Sequence, residues 1–332
     1  MIKRKLGNNG TKVFPIGLGG MSFTDVYGKT STKETHDILS LAIDLGIDHI
    51  DTSDIYGLGL SEERIGGFLQ KNKGYIDYFK IATKGGIFRD NNGNSRFNNS
   101  KEYLEKSLDA SLKRLGVDCV ELYYVHRRDL STSIEDVTHT LSSFIQSGKV
   151  NQIGFSEISP SSLDLASKIN TIAAVQSEYS LSTRYPELGL IQKLQNLNST
   201  LVAFSPLGRS LLTDKPHSFT KAQSINILRE NPRFMEPNLS YNVKKTSNYR
   251  NLASDYGMTA AELSLSWLLS KNDNIIPIPG TRSTKHLRSL AKSAEKFLDE
   301  KQLEEINQIL PVGWAYGDRY SESQWLGPEK YC

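Results

Sequence analysis

Short runs of apolar and β-branched residues recur along this chain, and longer amphipathic stretches separate them. Each run is short enough to form a strand that is buried on both faces, as the strands of a parallel sheet are. The runs are Phe14–Leu18, His49–Ser53, Phe79–Thr83, Val120–His126, Val150–Ser156, Ile172–Gln176, Thr200–Phe204 and Ile275–Ile278. They predict a sheet of about eight strands.

The amphipathic stretches show the spacing of helices. In Lys101–Leu115, for example, Leu104, Leu108, Leu112 and Leu115 fall on one helical face. Similar stretches are Thr32–Leu45, Ser61–Leu69, Ile134–Ile145, Ser161–Ile169, Leu188–Leu197, Ala260–Leu269 and Thr284–Ala294. Strands that alternate with helices predict an α/β fold with a parallel sheet, and eight such units close into a (β/α)8 TIM barrel.

The chain is interpreted as a single domain over residues 1–332, because no Pro/Gly-rich linker or low-complexity segment divides it. Residues 1–14 are predicted to form a β-hairpin around a glycine- and asparagine-rich turn. Residues 208–256 show no clear strand, which predicts an inserted loop with one helix near Thr220–Arg229. Residues 311–332 are predicted to form a C-terminal surface loop. Long loops on barrels are often functional.

Composition and charge exclude several function classes. The chain has 40 basic and 37 acidic residues, a net charge of +3 that is too even to favour a nucleic acid or an anionic membrane as partner. No apolar stretch is long enough to span a bilayer, and no apolar signal region follows the N-terminal charges. The two cysteines, Cys119 and Cys332, indicate neither a disulfide framework nor a metal site. We expect a cytoplasmic protein without a bound metal, and its oligomeric state stays open.

Ionisable side chains appear at the ends of three consecutive runs, where barrel enzymes place their catalytic groups. Asp51 and Tyr56 lie at or just after the end of the second run. Lys84 directly follows the third run, and His126 ends the fourth. A carbonyl that accepts a hydride needs a proton at its oxygen, and a tyrosine hydroxyl is a poor acid unless a nearby ammonium favours the phenolate. A carboxylate keeps that lysine charged, and a histidine positions the substrate oxygen. The four residues together predict carbonyl reduction, although a single buried aspartate or lysine is more often a structural ion pair.

Longer motifs make the sequence resemble the aldo-keto reductase superfamily over nearly its full length. The motifs are Asp51-Thr52-Ser53-x-x-Tyr56-Gly57, Ala82-Thr83-Lys84, Val125-His126, Gly148-Lys149-Val150, Ile153-Gly154-Phe155-Ser156-Glu157, Gln176-Ser177-Glu178-Tyr179-Ser180, Ala203-Phe204-Ser205-Pro206-Leu207-Gly208-Arg209 and Pro277-Ile278-Pro279-Gly280-Thr281. Their variants resemble the bacterial, fungal and plant branch that includes pyridoxal and general aldehyde reductases. The resemblance implies an NADP-dependent oxidoreductase, of the alcohol dehydrogenase type, that reduces an aldehyde or ketone to an alcohol.

The resemblance also implies a role for each matching position. Tyr56 would donate the proton, Asp51 and Lys84 would tune its acidity, and His126 would orient the substrate. Cofactor contacts would come from Gly20, Met21, Asp51, Ser156, Glu157, Gln176, Phe204, Ser205, Pro206, Leu207, Arg209, Gly280, Arg282 and His286. In this set, the residues at the ends of the fifth and sixth strands would hold the nicotinamide carboxamide. The residues after the seventh strand would hold the nicotinamide ring and the pyrophosphate, and those after the eighth strand would hold the adenosine phosphate. Ser289 and Leu290 replace the Glu-Asn pair that the family usually has, so we predict no adenine contact from them.

The loop after the eighth run favours NADPH over NADH. Arg282 has the planar donor fork that suits a phosphate. No acidic residue between Gly280 and His286 would select a free ribose hydroxyl. The alternative is that Arg282 is a solvated surface charge.

The substrate is predicted only as a small carbonyl compound. Phe23, Tyr27 and Trp314 are candidate walls of its pocket, because aromatic side chains suit apolar or planar compounds. Alternatively, Trp314 only pins the C-terminal segment to the barrel. Two other functions stay open: an isomerase or lyase without a nicotinamide cofactor, and a non-enzymatic or redox-sensing NADPH-binding subunit like the potassium-channel β subunits.

Overall fold

The computed structural model describes residues 3–332, so residues 1 and 2 of the predicted hairpin lie outside the described residues. The strands Arg4–Lys5 and Lys12–Val13 pair antiparallel around the predicted turn. The Gly7 amide donates to Thr200 Oγ1 (2.8 Å), at the start of a barrel strand. The hairpin therefore lies at the N-terminal ends of the strands, opposite the ends that carry the candidate residues.

Eight parallel strands form one sheet in which each strand pairs with its neighbour along the chain. They are β1 (Leu18–Gly19), β2 (His49–Asp51), β3 (Lys80–Gly85), β4 (Val120–Val125), β5 (Val150–Ser156), β6 (Ala174–Glu178), β7 (Thr200–Phe204) and β8 (Ile275–Pro277). The sheet closes on itself, because the amides of Gly17 and Gly19 donate to the carbonyls of Pro277 (3.0 Å) and Pro279 (3.1 Å). The predicted (β/α)8 TIM barrel is confirmed.

Helices surround the sheet. They are α1 (Thr32–Asp44), α2 (Leu60–Lys71), α3 (Lys101–Leu115), α4 (Ile134–Gln146), α5 (Pro160–Ser167), α6 (Leu190–Asn196), α7 (Phe219–Gln223), α8 (Asn226–Arg229), α9 (Asn238–Asp255), α10 (Ala260–Lys271), α11 (Thr284–Lys292) and α12 (Glu300–Ile309). Ser31 and Thr259 start α1 and α10 with capping boxes. Apolar side chains fill the barrel interior and a larger layer between the sheet and the helices. This packing holds the strand ends in fixed positions.

Differences of two or more residues from the predicted strand boundaries fall in β1, β2, β3 and β6, and β2 ends at Asp51 rather than Ser53. β1 begins at Leu18 rather than Phe14, because Pro15 has no amide hydrogen and the ladder to β8 starts only at Gly17. β3 and β6 extend past their apolar runs, to Gly85 and Glu178. The last residues of both strands are polar or lack a side chain, so the apolar run ends before the hydrogen-bonded ladder does.

The segment 208–256 contains three helices, whereas the sequence predicts a loop with one. Two short helices, α7 and α8, stand in place of the predicted helix because Ile225 has an extended backbone (φ −107°) between them. The longer α9 escapes prediction because its buried face includes Asn242 and Thr246, which break the apolar periodicity. Helix α12 and a second hairpin, Ile87–Arg89 with Ser95–Phe97, are also absent from the predicted elements.

The C-terminal segment 311–332 is mostly irregular, but it is more than the predicted surface loop. Arg319 and Cys332 are buried, so the segment contributes to the interior. The assignment of the whole chain to one domain stays a prediction. Across residues 3–332, no helix has both the length and the apolar character that crossing a membrane requires.

Candidate active site

The ends of β2 and β3 bring Asp51, Lys84 and Tyr56 together at the carboxyl end of the barrel. The Lys84 side chain is fully buried. Its Nζ donates to Asp51 Oδ1 (2.5 Å), to the Thr52 carbonyl (2.7 Å) and to Tyr56 Oη (3.5 Å). A continuous chain of contacts therefore runs from a carboxylate through an ammonium group to a phenol.

Lys84 is charged at neutral pH. Burial alone lowers the pKa of Lys84, but Asp51 and Tyr56 together favour the ammonium more strongly, so the pKa lies above its usual value. The Nζ atom also lies 5.0 Å from the centroid of the Tyr56 ring. A fixed positive charge in this position stabilises the phenolate, which a tyrosine proton donor requires.

His126 follows β4 and faces Tyr56, with 5.7 Å between the two ring centroids. Its Nδ1 lies 3.0 Å from Ser53 Oγ, which leaves Nε2 for a substrate oxygen. Burial, followed by the charges of Arg127 and Lys84, lowers the pKa of His126 well below its usual value. The imidazole is therefore neutral at neutral pH and carries a single proton.

Ser156 is the last residue of β5, and Gln176 lies in the middle of β6, which extends two residues past the predicted end; both are buried. Gln176 Nε2 donates to Asp51 Oδ2 (2.7 Å), so it holds the carboxylate oxygen that Lys84 does not. Ser156 Oγ accepts a hydrogen bond from Arg127 Nη1 (2.9 Å). Their contacts to a nicotinamide stay predictions.

Glu157 is fully buried and has a left-handed backbone (φ 60°). Its Oε1 accepts from the Glu178 amide (2.9 Å) and from Arg319 Nη1 (3.0 Å), and its Oε2 contacts Arg319 Nη2 (2.7 Å). Burial raises the pKa of Glu157, but Arg319 and then Arg127 bring it below its usual value. Glu157 is thus an ionised partner of the C-terminal segment, and its predicted contact to a carboxamide stays a prediction.

Arg319 is a residue of this region that the sequence analysis missed. Its guanidinium lies 4.8 Å from the ring centroids of Tyr320 and Trp325. Its Nη2 also donates to Cys332 Sγ (3.1 Å). No local pattern could have predicted the pair, since Glu157 and Arg319 are 162 positions apart.

Residues 205–209 follow β7 and turn sharply through left-handed backbone at Ser205 (φ 49°) and Arg209 (φ 53°). Within residues 3–332, the amides of Leu207 and Arg209 have no hydrogen-bond acceptor. Arg209 Nη2 donates to Glu178 Oε2 (2.9 Å), and its buried Nε has no partner in the described chain. Free amides and an arginine beside a strand end form a donor set that suits a pyrophosphate.

The loop after β8 places Arg282 on the surface. Its Nη1 and Nη2 donate to the carbonyls of Lys29 (3.1 Å) and Tyr27 (3.0 Å), which ties this loop to the loop after β1. Ser283 caps α11, and His286 is exposed in the first turn of that helix. The predicted phosphate-binding residues therefore lie around one helix N-terminus, which favours an anion.

Gly20 and Gly280 lie where the chain segments after β1 and β8 meet. A Cβ atom at Gly280 would come within 2.1 Å of Ser22 Oγ, and one at Gly20 within 2.9 Å of the Asp51 carbonyl. Packing against backbone accounts for Gly20, whereas a side chain at Gly280 would displace the Ser22 hydroxyl. Met21 is half-buried beside them.

The three candidate substrate residues occupy different environments. Phe23 is buried in the main apolar core, and Tyr27 is half-buried. Trp314 is also buried, and its Nε1 donates to the Leu181 carbonyl (2.8 Å), which anchors the C-terminal segment. Their roles in substrate binding stay predictions.

Comparison with known proteins decides the family. A model of the aldo/keto reductase family matches residues 15–311. The chain belongs to the aldo/keto reductase family. Aldo-keto reductase yakc of Schizosaccharomyces pombe is 36% identical to this reductase over 321 residues, which are 96% of this chain and 94% of the relative. Probable aldo-keto reductase 1 of Glycine max is 34% identical over 317 residues, 95% and 91% of the two chains.

Solved structures support the same fold for this aldo/keto reductase. The glycerol dehydrogenase AKR11B4 from Gluconobacter oxydans has a TM-score of 0.82 at 23% identity and covers 93% of this chain and 94% of its own. The holo form of the aldo-keto reductase AKR11C1 from Bacillus halodurans has a TM-score of 0.78 at 25% identity and covers 98% and 99%. The predicted family resemblance is confirmed.

Proposed function

We propose that this aldo/keto reductase uses NADPH to reduce the carbonyl group of an aldehyde or ketone to an alcohol. The observation that carries the proposal is the buried chain of contacts from Asp51 through Lys84 to Tyr56, with His126 facing the phenol. Carbonyl reduction needs a proton for the oxygen and a hydrogen-bond donor that holds that oxygen. These side chains supply both.

Tyr56 donates its hydroxyl proton to the carbonyl oxygen in the proposed reaction. The Lys84 ammonium, 3.5 Å from the hydroxyl, stabilises the phenolate that remains. Asp51 and the Thr52 carbonyl hold Nζ in place. Because the site is buried, these electrostatic contacts are stronger than they would be in water.

The residues after β7 and β8 fit a dinucleotide phosphate. The amides of Leu207 and Arg209 and the guanidinium of Arg209 suit the pyrophosphate, and Arg282 suits the 2′-phosphate. The name of the Schizosaccharomyces pombe relative carries NADP(+), which supports the same cofactor here. When bound, NADPH supplies the hydride that the carbonyl carbon accepts. Ser156 and Gln176 would hold its nicotinamide end, and Phe204 would contact the ring.

The test is a Tyr56→Phe variant assayed for NADPH oxidation with a panel of aldehydes, ketones, pyridoxal and sugars. We expect turnover to fall by about 10² to 10⁴, the usual contribution of a general acid. The dissociation constant for NADPH should not change, because the lost hydroxyl serves the substrate. Tyr75→Phe is the control, since Tyr75 is exposed and precedes β3 at the opposite end of the barrel.

Three results would contradict the proposal in different ways. Near wild-type turnover by Tyr56→Phe would remove Tyr56 as the proton donor. Tight NADPH binding by the wild type without turnover of any carbonyl compound would favour a regulatory subunit. Absence of NADPH binding would favour an isomerase or lyase.

A further inference from the structure

Ser53 lies between His126 and a second carboxylate, Asp54, that the proposed reaction does not use. Ser53 Oγ is 3.0 Å from His126 Nδ1, 3.2 Å from Asp54 Oδ1 and 3.2 Å from the Lys84 carbonyl oxygen. A serine hydroxyl has one hydrogen, so it donates to only one of these acceptors at a time. The Lys84 carbonyl, which also accepts the Asp54 amide hydrogen (3.1 Å), has the same charge at every pH, so only the competition between His126 and Asp54 changes when Asp54 titrates.

We propose that Asp54, acting through Ser53, sets which ring nitrogen of His126 carries the proton. When Asp54 is protonated, its carboxyl hydrogen is donated to Ser53 Oγ and the Ser53 hydroxyl donates to Nδ1, so the imidazole proton is on Nε2. When Asp54 is ionised, the Ser53 hydroxyl donates to the carboxylate, Nδ1–H donates to Ser53 Oγ, and Nε2 presents a lone pair. The two states differ by one proton: the Asp54 proton passes to Ser53 Oγ, the Ser53 proton passes to Nδ1, and Nε2 releases its proton to solvent, so the imidazole is neutral in both states.

When Asp54 is ionised, the Ser53 hydroxyl donates to its carboxylate rather than to His126 Nδ1. A hydrogen bond to a charged acceptor is roughly twice as strong as one between neutral groups. The imidazole then donates to Ser53 rather than accepting from it. Nothing in this exchange requires a change in the charge of His126, whose pKa lies well below its usual value because of burial and the charges of Arg127 and Lys84.

The pKa of Asp54 lies close to neutral pH, so both protonation states of its carboxyl group can be reached in an assay. Burial raises the pKa of Asp54 to about 6, against the hydrogen bonds from Ser107 and Ser53. Ser107 Oγ donates to Asp54 Oδ2 at 2.6 Å. The polar and charged groups that face Asp54 are Ser53 on its own loop, Glu62 on α2, Tyr103, Ser107 and Arg114 on α3, Tyr123 on β4 and the backbone of Lys84 on β3.

The consequence for catalysis rests on the proposed function. Only the tautomer with a proton on Nε2 can donate a hydrogen bond to a carbonyl oxygen. We therefore expect kcat/KM for reduction to fall by about fivefold as the pH rises through the titration of Asp54, the factor that loss of one hydrogen bond of about 1 kcal/mol produces. Asp54 and Ser53 are positioning residues in this scheme, since neither touches the substrate.

Asp54→Asn tests the relay in the enzyme. Ser107 donates to Asp54 Oδ2, so we expect the amide oxygen of the variant to take that position, and the amide nitrogen then faces Ser53 and donates at every pH. At every pH the variant should have the kcat/KM that the wild type has at low pH. Its pH profile should therefore lack the fall that accompanies the titration of Asp54 in the wild type. Ser107→Ala should move the inflection to higher pH, because it removes a hydrogen bond that favours the ionised carboxylate. Asp129→Asn, in the loop after β4, is the matched control and should keep the wild-type profile.

A second measurement is independent of turnover. Nitrogen NMR of ¹⁵N-histidine-labelled protein, without cofactor or substrate, reports which ring nitrogen of His126 is protonated, and a His126→Asn variant assigns its signals among the six histidines. We expect the proton to move from Nε2 to Nδ1 across the titration of Asp54 in the wild type and to stay on Nε2 in Asp54→Asn. One tautomer at every pH in the wild type, or a shift that persists in Asp54→Asn, would overturn the relay. Because this measurement needs no substrate, it separates failure of the relay from failure of the proposed function.

Discussion

Replacing Arg319 by methionine tests whether the C-terminal segment stabilises the barrel through a buried ion pair. The Arg319→Met variant keeps much of the side-chain volume but removes the charge that neutralises Glu157. Both side chains are fully buried, and their closest contact is 2.7 Å. The variant therefore leaves a carboxylate in the interior with only the Glu178 amide and Cys332 as partners.

The expected loss can be worked out from the burial of the pair. Removing one partner of a buried ion pair costs about 3–5 kcal/mol, because the remaining charge is left desolvated. With an unfolding entropy of about 2.1 cal/mol/K per residue, a cooperative chain of 332 residues would lose about 4–7 °C in Tm. Glu157→Gln combined with Arg319→Met should recover most of this loss, since neither charge of the pair remains.

The difference in stability between the wild type and Arg319→Met should depend on pH. In the wild type the pKa of Glu157 lies below its usual value, so its ionisation stabilises the fold above pH 4.5, and this contribution is lost as the pH falls through the folded-state pKa. In Arg319→Met, only the smaller effects of Arg127 and the Glu178 amide oppose burial, so the pKa of Glu157 rises above its wild-type value. The difference between the two proteins should therefore be largest at neutral pH and shrink in acid.

Denaturant unfolding at several pH values, followed by circular dichroism, measures this difference. Arg288→Met serves as the control because Arg288 is exposed on α11. If Arg319→Met were as stable as Arg288→Met at neutral pH, or lost the same amount at every pH, the reasoning from a buried ion pair would be refuted.

Two further predictions concern the reaction and its cofactor. Lys84→Met should lower turnover by at least about 10², because the phenolate of Tyr56 loses its stabilising charge; near wild-type turnover in the NADPH-oxidation assay would contradict this. Arg282→Ala should weaken NADPH binding by about 10- to 100-fold and leave NADH binding unchanged, because the lost contact is to the 2′-phosphate. Quenching of protein fluorescence measures both constants, and an equal loss for the two cofactors would place the 2′-phosphate elsewhere.

The barrel and the four ionisable residues could be predicted because their patterns are local. Apolar runs such as Val150–Ser156 mark strands without help from distant residues, and β5 has the predicted bounds. Asp51, Lys84 and His126 stand at strand ends, and the topology of a parallel barrel then brings consecutive strand ends together. The contacts of Lys84 with Asp51 and Tyr56 follow from that arrangement.

Features that depend on distant partners could not be predicted. Glu178 ends β6 as a buried charge, and its contacts with Arg209 and Arg233, which lie far along the chain, explain it. The same holds for Glu157 and Arg319, which pair across most of the second half of the chain. The apolar pattern does not mark helices such as α9, whose buried face includes polar side chains.

The contacts of Ser53 could be predicted only in part from the sequence. The motif that contains Asp51 and Tyr56 includes Ser53, yet its spacing does not show that Oγ faces His126. That contact depends on the loop after β2 folding toward the end of β4. Side-chain direction in a loop is set by tertiary packing, so it becomes visible only in the structure.

We propose that NADPH reduces a carbonyl compound in the site formed by Asp51, Tyr56, Lys84 and His126. The most direct measurement mixes the purified protein and NADPH with each compound of the carbonyl panel, and follows NADPH absorbance and alcohol formation together. We expect that, for at least one compound, one alcohol forms for each NADPH consumed, and that Tyr56→Phe binds NADPH but forms alcohol at least about 10² times more slowly. Consumption of NADPH without alcohol formation, or equal rates for the wild type and Tyr56→Phe, would contradict it.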